Sequence, residues 1–88
     1  MIIKNSTRKD KRFMIVFNGK TIHFGQKNAS TYIDNGDKIK RENYIKRHKV
    51  NEDWTKVNSG SAARFLLWGD YLTLEQNHQA FMKKFRIS

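Results

Sequence analysis

The chain has 88 residues, enough for one domain with a modest core. It contains no cysteine, which excludes a disulfide framework, a thiolate nucleophile and any cysteine-based zinc site. Eighteen Lys and Arg face eight Asp and Glu, so the net charge is +10. A compact domain with this charge is expected to act on a polyanion or on an acidic protein surface.

The N-terminal third predicts a β-hairpin. Residues 1–11 are polar and basic, and we expect them to form a flexible segment before a single domain over residues 12–88. Arg12–Phe17 and Lys20–Phe24 alternate as β-strands do. The Asn18–Gly19 pair between them indicates a type I′ turn, because both central residues of that turn need a positive φ.

The middle of the chain predicts two short helices. The turn-rich segment 25–36 leaves room for a short strand, and Asp37 is a candidate N-cap for a helix that runs to about His48. Ser61 and Gly69 are candidate ends of a second, largely buried helix.

A last helix is predicted from Thr73, with Gln76 as the second half of a capping box. Leu74, His78 and Phe81 fall on one helix face. The chain therefore predicts an α+β fold, in which a β-hairpin or a small antiparallel sheet packs against two or three short helices. No apolar run is long enough to span a bilayer, so membrane insertion is not expected.

Basic residues in three clusters are the candidates for binding. The helix over 38–49 carries half of them against Glu42 alone, and its cations are expected to neutralise successive phosphates. A solvated outer face without a specific partner is the alternative. The candidate polyanion-binding or partner-binding residues are Lys38, Lys40, Arg41, Lys46, Arg47, His48 and Lys49 in this helix, Arg8, Lys9, Lys11 and Arg12 near the N-terminus, and Lys83, Lys84 and Arg86 near the C-terminus.

No enzyme activity is predicted. The histidines lie in three separate elements without metal-ligand spacing, and neither a nucleophile–base motif nor a glycine-rich phosphate loop is present. We therefore expect no metal, no cofactor and no small-molecule substrate. A metal-dependent nuclease built from Asp34, Asp37 and Glu52 is a disfavoured alternative. Trp54 and Trp68 are expected to serve the core rather than to stack on bases.

Three segments carry a family resemblance: Phe17–Gln26, Tyr44–His48 with Trp54–Thr55, and Phe65–Trp68. They resemble a family of small, basic, uncharacterised proteins of nucleocytoplasmic large DNA viruses of the phycodnavirus and mimivirus kind. The segment 29–37 is longer and more polar than the family pattern, and the segment 59–63 replaces an aromatic-containing stretch. The resemblance implies a product found in the virion, and in the host cytoplasm or viral factory before packaging.

Two functions follow from the charge and the resemblance together. The favoured one is a virion-associated structural protein, such as a minor capsid protein, that binds acidic surfaces of capsid or core components. The alternative is a sequence-independent nucleic-acid-binding protein, genome-associated or regulatory, that clamps the phosphate backbone. One continuous basic face would favour nucleic acid, whereas patches on opposite sides would favour the bridging of several proteins.

Overall fold

A three-stranded antiparallel sheet packs against four helices in the computed structural model, which describes residues 1–87 and confirms the α+β prediction. The strands follow one another in the order β1-β2-β3. None of the helices in this part of the chain has the length and apolar composition that a membrane crossing requires. The elements are β1 Ile2–Asn5, β2 Lys11–Phe17, β3 Lys20–Gln26, α1 Tyr32–Asn35, α2 Lys38–Lys49, α3 Ser59–Ala62, a π-helical segment Ala63–Leu67, and α4 Leu74–Lys84.

The hairpin of β2 and β3 forms as predicted. Asn18 and Gly19 both have positive φ, 47° and 72°, and the strands pair so that Phe13 lies opposite Phe24. Ile15 on the same face of β2 is completely buried, as is Phe24. One face of the hairpin therefore supplies the sheet side of the core.

The N-terminal segment differs from the prediction, because the sheet begins at Ile2 and not at Arg12. β1 pairs antiparallel with β2, with Ile3 opposite Ile15, and Ile3 packs against the core. The basic composition of residues 1–11 concealed this short apolar strand, because the charges are concentrated in the turn that follows it.

The core lies between the sheet, α3, the π-helical segment and α4. Consecutive residues Leu66 and Leu67 are both buried in it, along with Ala62 and Phe81. The widened π turn, in which the Trp68 amide donates to the Ala63 carbonyl at 3.2 Å, accompanies this arrangement.

Local capping signals set most of the helix starts. Asp37 caps α2 by accepting from two backbone amides, and Thr73 caps α4 by accepting from the Gln76 amide, as predicted. The second half of the predicted capping box is replaced by a different contact, because Gln76 Oε1 accepts from the Thr73 hydroxyl at 2.9 Å. The prediction that Ser61 begins the helix that follows α2 is wrong. Asn58 is the N-cap of α3, since its side chain accepts from the Ser61 amide at 2.8 Å while the Ser61 hydroxyl accepts from the Asn58 amide at 2.9 Å.

Candidate polyanion-binding cleft

A cleft of about 860 Å³ lies between α2, the ends of β2 and β3, and α3. Its lining brings Lys11 of the N-terminal cluster together with Lys40, Lys46 and Arg47 of α2. Glu52 is the one acidic residue among the lining residues in the described part of the chain. The cleft therefore concentrates positive charge in a concave surface, where a polyanion gains the most from it.

Three stacked rings border this cleft. The rings of Tyr44 and Trp68 are nearly parallel, with centroids 4.5 Å apart. The imidazole of His48 stacks on the ring of Tyr44 at 4.2 Å. Tyr44 and His48 are four residues apart on α2 and therefore lie one above the other on the same helix face. Burial raises the pKa of the Tyr44 hydroxyl, so this ring stays neutral in the stack.

Glu52 fixes the orientation of His48. Glu52 Oε2 lies 2.7 Å from His48 Nδ1, and Glu52 Oε1 accepts a hydrogen bond from Trp54 Nε1 at 2.8 Å. Each carboxylate oxygen thus has a partner within the protein. Sequence reasoning missed this pair, because Glu52 lies beyond the end of α2 and the helical spacing of four residues does not apply to it.

Arg41 has internal partners, although the sequence placed it among the binding residues. Its Nε donates to the carbonyl oxygens of Trp68 and Gly69, both at 3.1 Å, and its Nη2 donates to Asp70 at 2.8 Å. Arg64 Nη1 donates to the same Trp68 carbonyl at 2.8 Å. Arg41 therefore anchors α2 to the loop that carries Trp68, and it does not line the cleft.

Arg12 also has an internal partner. Its guanidinium donates to both carboxylate oxygens of Asp34 at 2.6 Å, which ties β2 to α1. The backbone amide and the hydroxyl of Thr31 donate to the same carboxylate. The hydrogen bonds from Arg12 are the main reason that the pKa of Asp34 is held well below its usual range.

The Arg12–Asp34 pair predicts a loss of stability in acid. The pKa of Asp34 is lower in the folded state than in the unfolded state. The ionised Asp34 therefore makes its full contribution to the free energy of unfolding above about pH 4, and this contribution is lost as the pH falls further. Its size should be on the order of 1 kcal/mol, since 31% of the Asp34 side chain is exposed to solvent. Urea unfolding of the native protein and of Asp34→Asn between about pH 6 and 2.5 measures it. The gap between the two free energies of unfolding should narrow as the pH falls, and a constant gap would contradict the assignment.

The other predicted binding residues lie outside the cleft lining. On α2, Lys38 and Lys49 are exposed at its two ends. Lys84 packs against an aromatic ring, with its Nζ 4.9 Å from the centroid of Phe65. The structure thus brings parts of two clusters together and leaves the third apart. The predicted residues outside the lining are Arg8, Lys9, Arg12, Lys38, Arg41, Lys49, Lys83, Lys84 and Arg86.

Comparison with known proteins identifies a family without an assigned function. Residues 1–48 match a family described as a family of unknown function (DUF5754). No curated protein and no solved structure matches the chain. The matched residues include the sheet, α1 and α2 as far as His48, and hence all the Lys and Arg that line the cleft. Since the match covers 48 of 88 residues, the protein belongs to this family of unknown function.

Proposed function

We propose that the protein binds nucleic acid without sequence preference and that the cleft holds the phosphate backbone. The observation that carries this proposal is the concentration of Lys11, Lys40, Lys46 and Arg47 in one concave surface. Phosphate contacts of this kind release counterions from the nucleic acid, and they supply affinity without reading its bases.

The cations of the cleft differ from Arg12 and Arg41 in their partners. Within residues 1–87, the ion pairs of Lys and Arg side chains are Arg12–Asp34 and Arg41–Asp70. The Lys and Arg side chains that line the cleft are thus without a carboxylate partner in this part of the chain. A phosphate that approaches them does not have to displace an existing ion pair.

An acidic protein surface in a virion is the second candidate partner. One observation favours it, namely that Lys83, Lys84 and Arg86 lie at the end of α4 and outside the cleft lining. A second basic surface suits a protein that bridges two neighbours. The viral origin implied by the sequence resemblance stays a prediction.

We expect Lys40→Ala combined with Arg47→Ala to weaken nucleic-acid binding by roughly tenfold or more, because two phosphate contacts are lost. The plot of log affinity against log salt has a negative slope, and the magnitude of this slope should decrease by about 1.4 for a single strand and by about 1.8 for a duplex. Fluorescence anisotropy with labelled random-sequence oligonucleotides, both single-stranded and duplex, measures both quantities.

The matched control is Lys38→Ala combined with Lys49→Ala. It removes the same charge from the same helix at positions that do not line the cleft. The control should retain most of the affinity and of the salt slope. Equal losses in the two double variants would show that net charge alone attracts the nucleic acid and would refute the cleft as the site. Competition by polyglutamate at low concentration, together with weak binding of both oligonucleotides, would favour the acidic protein partner instead.

A further inference from the structure

We infer that the cleft takes single-stranded nucleic acid and that one base of the strand stacks on the imidazole of His48. This inference rests on the proposed function and names the class of nucleic acid. It depends on the ring stack beside the cations, which electrostatic attraction alone does not require.

His48 is an end ring of the stack of three, and all three rings line the cleft. Tyr44 covers one face of the His48 imidazole, and Trp68 covers the opposite side of Tyr44. His48 nevertheless lines the cleft, with 39% of its side chain exposed. A fourth flat ring that enters the cleft can therefore continue the column on His48. Trp68 keeps the structural role predicted for it, and the ring offered to a base is a histidine.

His48 is held in place before any ligand arrives. Its Nδ1 lies 2.7 Å from Glu52, and Trp54 donates to the other oxygen of the same carboxylate. Gly60 leaves the space that this carboxylate occupies, since a Cβ at Gly60 would lie 2.9 Å from Glu52 Oε1. A ring that is already oriented loses little conformational entropy when a base stacks on it.

The cations that line the same cleft as His48 can hold the phosphates that flank a stacked base. Arg47 precedes His48 in α2, and Lys11, Lys40 and Lys46 line the same cleft. An aromatic platform within a basic groove is the arrangement by which proteins hold single strands without sequence preference. In a duplex the bases are already paired and stacked on one another, so a duplex offers the phosphates but no free base face along its length.

Three probes of roughly 12 nucleotides separate stacking from charge. They are a fluorescein-labelled oligothymidine, an abasic phosphodiester strand of the same length and charge, and a duplex. At a salt concentration of about 0.15 M, we expect the oligothymidine to bind at least about fivefold more tightly than the abasic strand. His48→Ala should reduce the affinity for oligothymidine to that for the abasic strand, whereas His48→Phe, which keeps a ring, should retain the preference.

Proton NMR of the unmodified protein supplies a readout that does not depend on how well the variants fold. The carbon-bound ring protons of His48 should move upfield when oligothymidine is added and should stay in place when the abasic strand is added, because only a stacked base produces a ring-current shift. Equal affinity for oligothymidine and the abasic strand, or tighter binding of the duplex, would overturn this inference and leave the proposed function standing. Absence of binding by all three probes at this salt concentration would overturn the proposed function itself.

Discussion

Replacing Gly69 with alanine should destabilise the protein by about 3 kcal/mol or more, the largest effect expected of any single substitution considered. Gly69 is buried two residues after the end of the π-helical segment. A Cβ there would overlap the Phe65 carbonyl oxygen and would lie 2.6 Å from Asn77 Oδ1. Backbone and a buried, hydrogen-bonded amide surround this position, so neither neighbour moves aside cheaply.

Urea unfolding followed by circular dichroism measures this effect, and Gly19→Ala is its control. A Cβ at Gly19 meets no atom within 4 Å, so the control carries only the cost of a positive φ, about 1 kcal/mol. A loss of stability for Gly69→Ala no larger than that for Gly19→Ala would contradict the steric account.

Asn77→Ala should cost about 3 kcal/mol, because it leaves three backbone groups without their partner. Asn77 is only 1% exposed. Its Nδ2 donates to the carbonyl oxygens of Leu66 and Tyr71, and its Oδ1 accepts from the Tyr71 amide, all at 3.0 Å. The side chain thereby joins α4 to the π-helical segment and to the loop after Gly69.

Thermal and urea unfolding of Asn77→Ala test this prediction, with Gln79→Ala, an exposed position on α4, as the control. We expect the control to stay within about 0.5 kcal/mol of the native protein. A similarly small change for Asn77→Ala would contradict the prediction, because it would mean that water replaces the amide without loss of stability.

Both Gly69 and Asn77 support the loop that holds Trp68 under Tyr44, so even a folded variant at either position should disturb the ring stack of the cleft.

The elements that the sequence predicted are those with local signals. The turn at Asn18–Gly19 and the caps at Asp37 and Thr73 each depend on residues within a few positions of one another. Strand β1 lacked such a signal, because four residues beside a basic turn do not show a clear period. Nothing in the sequence near Asn77 predicts its hydrogen bonds, because its partners are brought to it by the packing of α4 on the π-helical segment.

The basic charge of the candidate site could be predicted from the sequence, but the partners of its side chains and the ring stack could not. The basic composition indicated Lys11 and the cations of α2, three of which (Lys40, Lys46 and Arg47) line one cleft with it. Counting charges did not reveal that Arg12 and Arg41 are paired with carboxylates 22 and 29 residues away, because tertiary structure brings those partners together. The ring stack likewise depends on the approach of α2 to Trp68.

The most direct test of the central claim is a titration of the isotopically labelled protein with a single strand of roughly 12 nucleotides, followed by amide NMR at about 0.15 M salt. We expect the largest shifts at Lys11, along the cleft side of α2 from Lys40 to His48, and at Gly60. Shifts centred instead on Lys83–Arg86, or spread evenly over the basic surface, would contradict the assignment of this cleft as the nucleic-acid site.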